Sequence, residues 1–386
     1  MKSTHPRLLR FLMLGAVLVV GQLYVTLPLT PALASRWQIT TGQAAWAGST
    51  FGFAYAAGFL LLGRLSDRYG RSTVLLFSLL ATAAASVLVA ASSHFGMLLA
   101  TRALQGLVAA AFPPAALALV AEALPPARRP LGISLMSFAF LAAAPLAQFL
   151  AAQFAGLGLS AIMLVLAAAY GLLALGLHRL LPPDTTLVKH AAAATAPVRM
   201  WRQTHLMGAW LAAVTVLFAF VVFHAGAQTV GVSTGDLQAL RLAGLPPLLL
   251  SIAAARLVSR IGTVATARAG LVLSAIGLVL GLAGTFGWLL MGSVLLSAGM
   301  ALAVPGLIGT VADRATPDTR AQAIALYTFS LFVGASVALP VAQALSPFGW
   351  TALLLTPIAA LLCAAVVVNG WEPSHPLRHR SGQHSS

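Results

Sequence analysis

Acid–base, nucleophilic or metal chemistry needs several ionisable groups brought together, and this sequence offers few. It has seven carboxylates (Asp67, Glu122, Asp184, Asp236, Asp313, Asp318 and Glu372), nine histidines and one cysteine, Cys363. No H-E-x-x-H, Ser/His/Asp set or G-x-x-x-x-G-K-[ST] loop is present, so neither an integral membrane enzyme nor direct ATP use is expected. No cofactor or metal is expected either, since His375, His379 and His384 are too irregularly spaced for a firm site. Three features remain with chemical potential. One is the polar island Gly63-Arg64-Leu65-Ser66-Asp67-Arg68-Tyr69-Gly70-Arg71. The others are Arg102 and His224, each set in an apolar run.

The elements that must hold these residues are membrane spans. Mean hydropathy is +0.94, and 60% of residues are hydrophobic against 8% charged, far below the roughly 25% of a soluble domain. The 386 residues accommodate about twelve spans of roughly 20 residues. The apolar runs place them near 9–33, 43–62, 73–92, 96–121, 131–154 and 158–180. A second set lies near 208–231, 237–256, 267–286, 289–312, 321–345 and 350–370. The first run reads as a span and not as a cleavable signal. The domains expected are a six-helix half over 1–180, a linker over 181–207, a second half over 208–371 and a tail over 372–386.

The net charge of +15 raises the question of nucleic acid, but the basic residues are scattered singly between apolar runs. Lipid headgroups and orientation account for them better. With an even number of spans both termini share a side, and of 22 Lys and Arg only Arg36, Arg102 and Arg241 fall away from it. That side is read as cytoplasmic. Trp37, Trp46, Trp288 and Trp350 are read as anchors at one interface, and Trp201, Trp210 and Trp371 at the other.

The halves repeat. Shifting the island by 192 residues gives Ala255-Arg256-Leu257-Val258-Ser259-Arg260-Ile261-Gly262, with the aspartate replaced by Ser259. Pro113 maps to Pro305, and at one residue less Glu122 maps to Asp313 and Arg129 to Arg320. A same-direction repeat six helices apart suits two halves rocking about a central site.

The island also resembles the loop 2–3 signature of the major facilitator superfamily, G-x-L-x-D-R-x-G-R-[RK]. It matches at Gly63, Leu65, Asp67, Arg68, Gly70 and Arg71 and departs at Ser72. Leu98, Arg102, Gln105, Gly106, Ala109 and Ala110 resemble the helix-four signature L-x-x-x-R-x-x-Q-G-x-G-A-A, departing at Val108. The helix-five antiporter signature survives only at Pro145. The resemblance implies an all-α integral membrane protein of twelve transmembrane helices, the major facilitator fold. It implies secondary transport by alternating access, nearest the drug and metabolite efflux branch. A sugar or metabolite exporter, or an uptake permease, is the alternative.

On this reading Gly63, Asp67, Arg68, Gly70, Arg71, Glu122, Arg128 and Arg129 form a cytoplasmic gate whose charge pairs hold the halves together. Interfacial charges that snorkel are the other reading. The resemblance associates Arg102, with Gln105 and Gly106, with proton coupling, its guanidinium pointing to a cavity. Arginine cannot itself release the proton, so His224 is the embedded candidate, against a simple packing role. Gln22, Tyr24, Gln148, Phe223 and Gln228, with Phe218 and Phe220 nearby, are the expected cavity wall. Asp236 and Arg241 are read as a solvated outer pair. The partners expected are a small organic substrate, protons and the lipid bilayer, with the chain a monomer in a bacterial inner membrane.

Overall fold

A computed structural model describes residues 4–63, 65–181, 203–229, 231–316 and 319–368. Arg64, Asp318, most of the expected linker with Trp201, and the tail with Trp371 and its histidines lie outside the described residues. Every regular element described is helical.

Ten helices are long and apolar enough to cross a membrane. One of these, Arg320–Val367, is 48 residues long and holds two crossings. These are α15 (Arg320–Leu345) and α16 (Gly349–Val367), joined by a turn at Ser346–Phe348. The first crossing is made by α1 (Thr4–Gly21) and α2 (Thr30–Trp37), separated by non-helical residues 22–29. The described residues thus give twelve crossings. The second span is α3 (Thr41–Leu62), followed by the short α4 (Leu65–Tyr69) and the third span, α5 (Arg71–Ala90). The fourth is α6 (Phe95–Ala109) with α7 (Phe112–Ala123); the fifth and sixth are α8 (Arg129–Gln153) and α9 (Gly158–His178). The second half runs through α10 (Thr204–Thr229), α11 (Thr234–Ala243) with α12 (Leu250–Ile261), α13 (Thr263–Gly281) and α14 (Phe286–Arg314), then α15 and α16.

Proline sets the breaks. Pro28 follows the end of α1, Pro113-Pro114 opens α7, and Pro246-Pro247 forms a 3-10 turn between α11 and α12. Proline lacks the N–H that would satisfy a carbonyl one turn back. A broken span is tolerated in a membrane only where neighbours take up the freed groups. One such neighbour is Ser78 of α5, whose hydroxyl donates to the Val108 carbonyl at 2.9 Å.

The internal repeat is visible in the backbone. Gly70 caps α5 with φ +92° and Gly262 caps α13 with φ +86°. Gly158 and Gly349, each after a 3-10 turn, open α9 and α16 at φ +75° and +85°. At these positions a side chain would be strained, so glycine marks the same turn in both halves. Across the halves, α3 packs along α15, and α8 along α11 and α12.

Trp210 departs from the reading as an interfacial anchor. Span seven begins at Thr204, earlier than the hydropathy suggested, so Trp210 lies within the helix. It is buried, and its indole donates to the Ala323 carbonyl of α15 at 3.2 Å.

Candidate functional site

A cavity of about 640 Å³ lies between the halves. Its deep end is bounded by Val20, Tyr24, Ala144 and Leu217, and its mouth by Gly63 and Asp67 of one half and Ala321, Gln322 and Ile324 of the other. The mouth is on the face that carries the basic island. The walls are apolar and aromatic: Tyr55, Phe59, Phe140, Leu141, Tyr327 and Phe332, with Ser137 and Thr328 adding hydroxyls. Tyr55 meets Phe332 edge-on at 4.7 Å, and Phe59 stacks on Phe332 at 5.5 Å. These rings join α3 to α15, one half to the other.

Beyond the deep end the halves are sealed. Gly52 on α3 lets α15 approach closely, and Gly48, one turn earlier, makes room for Thr26 of the first crossing. A Cβ on Gly52 would lie 2.1 Å from the Ser336 hydroxyl and 2.8 Å from the Leu23 side chain. The void left among Leu23, Leu27, Gly48, Val221 and Leu339 is only about 10 Å³, at most one water. The molecule is therefore open toward the basic face and closed toward the opposite one.

At the mouth, Arg71 bridges two carboxylates, Asp67 at 2.5 Å and Glu122 at 3.2 Å. Both belong to the same half, and these are the ion pairs found among the described residues. Of the gate arginines expected from sequence, Arg71 pairs with Glu122, and Arg128 and Arg129 do not. The start of α5 and the end of α7 are neighbours, so Arg71 reaches Glu122 first. Arg129 instead donates to the Leu124 carbonyl at 2.9 Å, and Arg68 lies over the Tyr69 ring. Nor does an ion pair among the described residues hold the two halves together: Asp67 and Gln322 both border the open mouth. The second half repeats this arrangement with less charge, Thr263 donating to Asp313 at 3.0 Å.

Arg102 is fully buried and does not point into the cavity. A Cβ on Gly106 would lie 2.2 Å from the Phe51 carbonyl, so α6 lies directly against the backbone of α3. One turn away, Arg102 Nε donates to the Ala47 carbonyl at 3.0 Å. Its terminal nitrogens donate to the Gln22 carbonyl at 2.8 Å, the Gln22 side chain at 3.3 Å and the Gln105 side chain at 2.6 Å. The Gln22 carbonyl is available because the helix ends at Gly21. The guanidinium also sits 4.4 Å from the centre of the Phe51 ring. Arg102 thus ties spans one, two and four together, and Gln105 extends the network to Ser86 at 2.7 Å.

Of the residues expected to form the cavity wall, Tyr24 lines it. Gln22 is turned to Arg102, and Gln148 is buried with neither amide atom partnered. Phe223 packs between His224 and Trp350. Gln228 sits in the last turn of α10, beyond the sealed region. His224 is buried as well, with Nδ1 2.9 Å from the Phe220 carbonyl and Nε2 unpartnered. These residues lie on the sealed side, so they do not border the cavity in this conformation. Asp236 and Arg241 do not form the expected solvated pair: Arg241 is 2% exposed and donates to Gln238 at 3.2 Å. The wall residues Tyr55, Phe59 and Phe332 were not singled out from sequence, although Tyr55 and Phe59 share a face by their i, i+4 spacing.

A family model described as Major Facilitator Superfamily matches residues 12–242 and again 223–385. The chain is 33% identical over 113 residues to the multidrug export protein EmrB of Escherichia coli, covering 29% of this chain and 22% of that protein. It is 41% identical over 80 residues to a triacylglyceride transporter of Mycobacterium tuberculosis, covering 20% of this chain and 15% of that one. These matches thus span about a fifth of the relatives' length. The human organic anion transporter MFSD10 (TETRAN) has the same fold, with a TM-score of 0.72 at 18% identity over 95% of this chain and 99% of that one. The repeated family match, the twelve crossings and the cavity between two like halves place this multi-pass membrane protein in the major facilitator superfamily.

Proposed function

We propose that the protein exports lipophilic or amphipathic organic molecules by proton-coupled alternating access. The observation that carries this reading is the cavity itself: about 640 Å³, walled by aromatic and aliphatic side chains and open at one face only. A drug-sized molecule needs such a volume with a few hydrogen-bonding groups, here Tyr24, Tyr55, Ser137 and Thr328. A sugar would need many more polar partners than this wall supplies. The local likeness to a multidrug export protein supports the direction of transport. The concentration of arginine on the face bearing the mouth supports a cytoplasmic placement for it, with both termini on that side, in a bacterial inner membrane. The protein acts as a carrier and not as an enzyme.

A toxicity panel in an efflux-deficient bacterial host tests this, comparing wild type with Asp67→Asn. Lipophilic cations, neutral antibiotics, organic acids and sugars are included. Resistance to one chemical class that the variant loses supports export. Sensitivity to every compound, with both proteins well expressed, refutes it.

A further inference from the structure

Among the described residues two arginines are buried in the membrane-spanning region, and they differ in how they are satisfied. Arg102 donates four hydrogen bonds and packs on an aromatic ring. Arg241, seven residues into α11, donates to Gln238 alone, and its Nε has no partner. No carboxylate pairs with it among the described residues. A guanidinium withdrawn from water without compensation is costly, and charges retained at such places usually serve a ligand or an ion.

The internal repeat assigns the helix-fastening position of the second half to another residue. In the first half Arg102 fastens span four to the span-two backbone at Ala47. In the second half Ser293, 191 residues on, makes the like connection to the span-eight backbone at Leu240, at 2.7 Å. Arg241 stands beside that connection, with its charge unused.

Two further buried polar side chains at this level have unpartnered atoms, Gln148 and His224. Gln238 links Arg241 to α8 by donating to the Phe149 carbonyl at 3.3 Å. Gln148, the residue before Phe149 in α8, is fully buried, with both amide atoms unpartnered. His224 lies within electrostatic reach of Arg241, its Nε2 unpartnered. All lie past the deep end of the cavity: Gln148 is one turn beyond Ala144 and His224 two turns beyond Leu217. This is where a path must form when the sealed face opens.

We propose that Arg241, with Gln148 and His224, forms an anion-recognising subsite that is completed when the sealed face opens, and that the carrier accepts amphipathic organic anions. Substrate identity here rests on the transporter reading above; the subsite itself does not. An anionic headgroup would supply the partner Arg241 lacks, while the aromatic cavity takes the apolar body.

Two dyes with the same apolar body isolate the charge: anilinonaphthalenesulfonate and the neutral N-phenylnaphthylamine. Equilibrium binding to the full chain in nanodiscs, and flux in proteoliposomes, are measured for both. Wild type is expected to bind the sulfonate more tightly than the neutral dye, by roughly ten-fold. Arg241→Gln should abolish that preference and leave the neutral dye unchanged, while Arg241→Lys retains part of it. Gln148→Ala removes an amide that contributes no bond to the fold, so it should keep its stability and weaken sulfonate binding several-fold. Absence of a preference in wild type, or its persistence in Arg241→Gln or Gln148→Ala, overturns the proposal. Preference without flux of either dye would leave the subsite standing and refute the transporter reading instead.

Discussion

The seal between spans two and eleven should be adjustable by a single methyl group. Gly52→Ala places a Cβ 2.1 Å from the Ser336 hydroxyl, 3.0 Å from Ser336 Cβ and 2.8 Å from Leu23 Cδ1. Overpacking of this kind costs about 1–3 kcal/mol. Leu23 belongs to the same half as Gly52, so only the Ser336 part of the cost is confined to the conformation where the seam is shut, and that part shifts the equilibrium toward the conformation open at the other face. At about 1.4 kcal/mol per tenfold, the shift is at most roughly five- to hundred-fold. The assay uses a Cys363→Ser background, since the native cysteine is exposed. Thr26→Cys reports the sealed side, where Thr26 is 1% exposed, and Ser137→Cys reports the cavity wall. In nanodiscs, Gly52→Ala should raise the maleimide labelling rate at position 26 about tenfold and slow it at position 137. Adding Ser336→Gly should restore both rates, because it removes the two nearest Ser336 atoms. A well-folded Gly52→Ala protein with unchanged labelling at both sites would refute the view that this seam closes the transporter.

Three further perturbations follow from the same geometry. Asp67→Asn removes the carboxylate that pairs with Arg71 and borders the mouth with Gln322, and should cut transport at least about tenfold with normal abundance; immunoblotting beside a flux assay checks it. Arg102→Ala leaves the Ala47 and Gln22 carbonyls without their side-chain donor and should cost about 2–4 kcal/mol, seen as a lower melting temperature before any effect on coupling is read. Trp210→Phe keeps an aromatic ring, though a smaller one, and loses the bond to Ala323; it should lower stability by at least about 1 kcal/mol in the same melting experiment.

The sequence makes the repeat and the crossings readable because their causes are local. Gly70 and Gly262 occupy a backbone region that favours glycine, and Pro28, Pro113 and Pro246 fall where spans break. The loop 2–3 and helix-four motifs likewise identify Asp67, Arg71 and Arg102 as special. What they bond to depends on which helices become neighbours. Arg102 turns inward because span one is unwound at Gln22, a carbonyl no motif records. Asp236 and Arg241 are close in sequence, but a separation of five residues rotates them about 140° apart on a helix. One faces the helix end and the other the interior. Which of the polar residues border a cavity also depends on which face is open, and sequence alone does not choose between the two conformations.

If this cavity carries an organic molecule across the membrane at the expense of a proton gradient, as proposed, flux must follow that gradient. The direct measurement is N-phenylnaphthylamine flux in proteoliposomes of known protein orientation, with a pH gradient imposed and then collapsed by an ionophore. Flux should need the protein, rise with the gradient, fall on its collapse and be lost in Asp67→Asn. Flux that is the same with and without the gradient, or in empty liposomes, would contradict it.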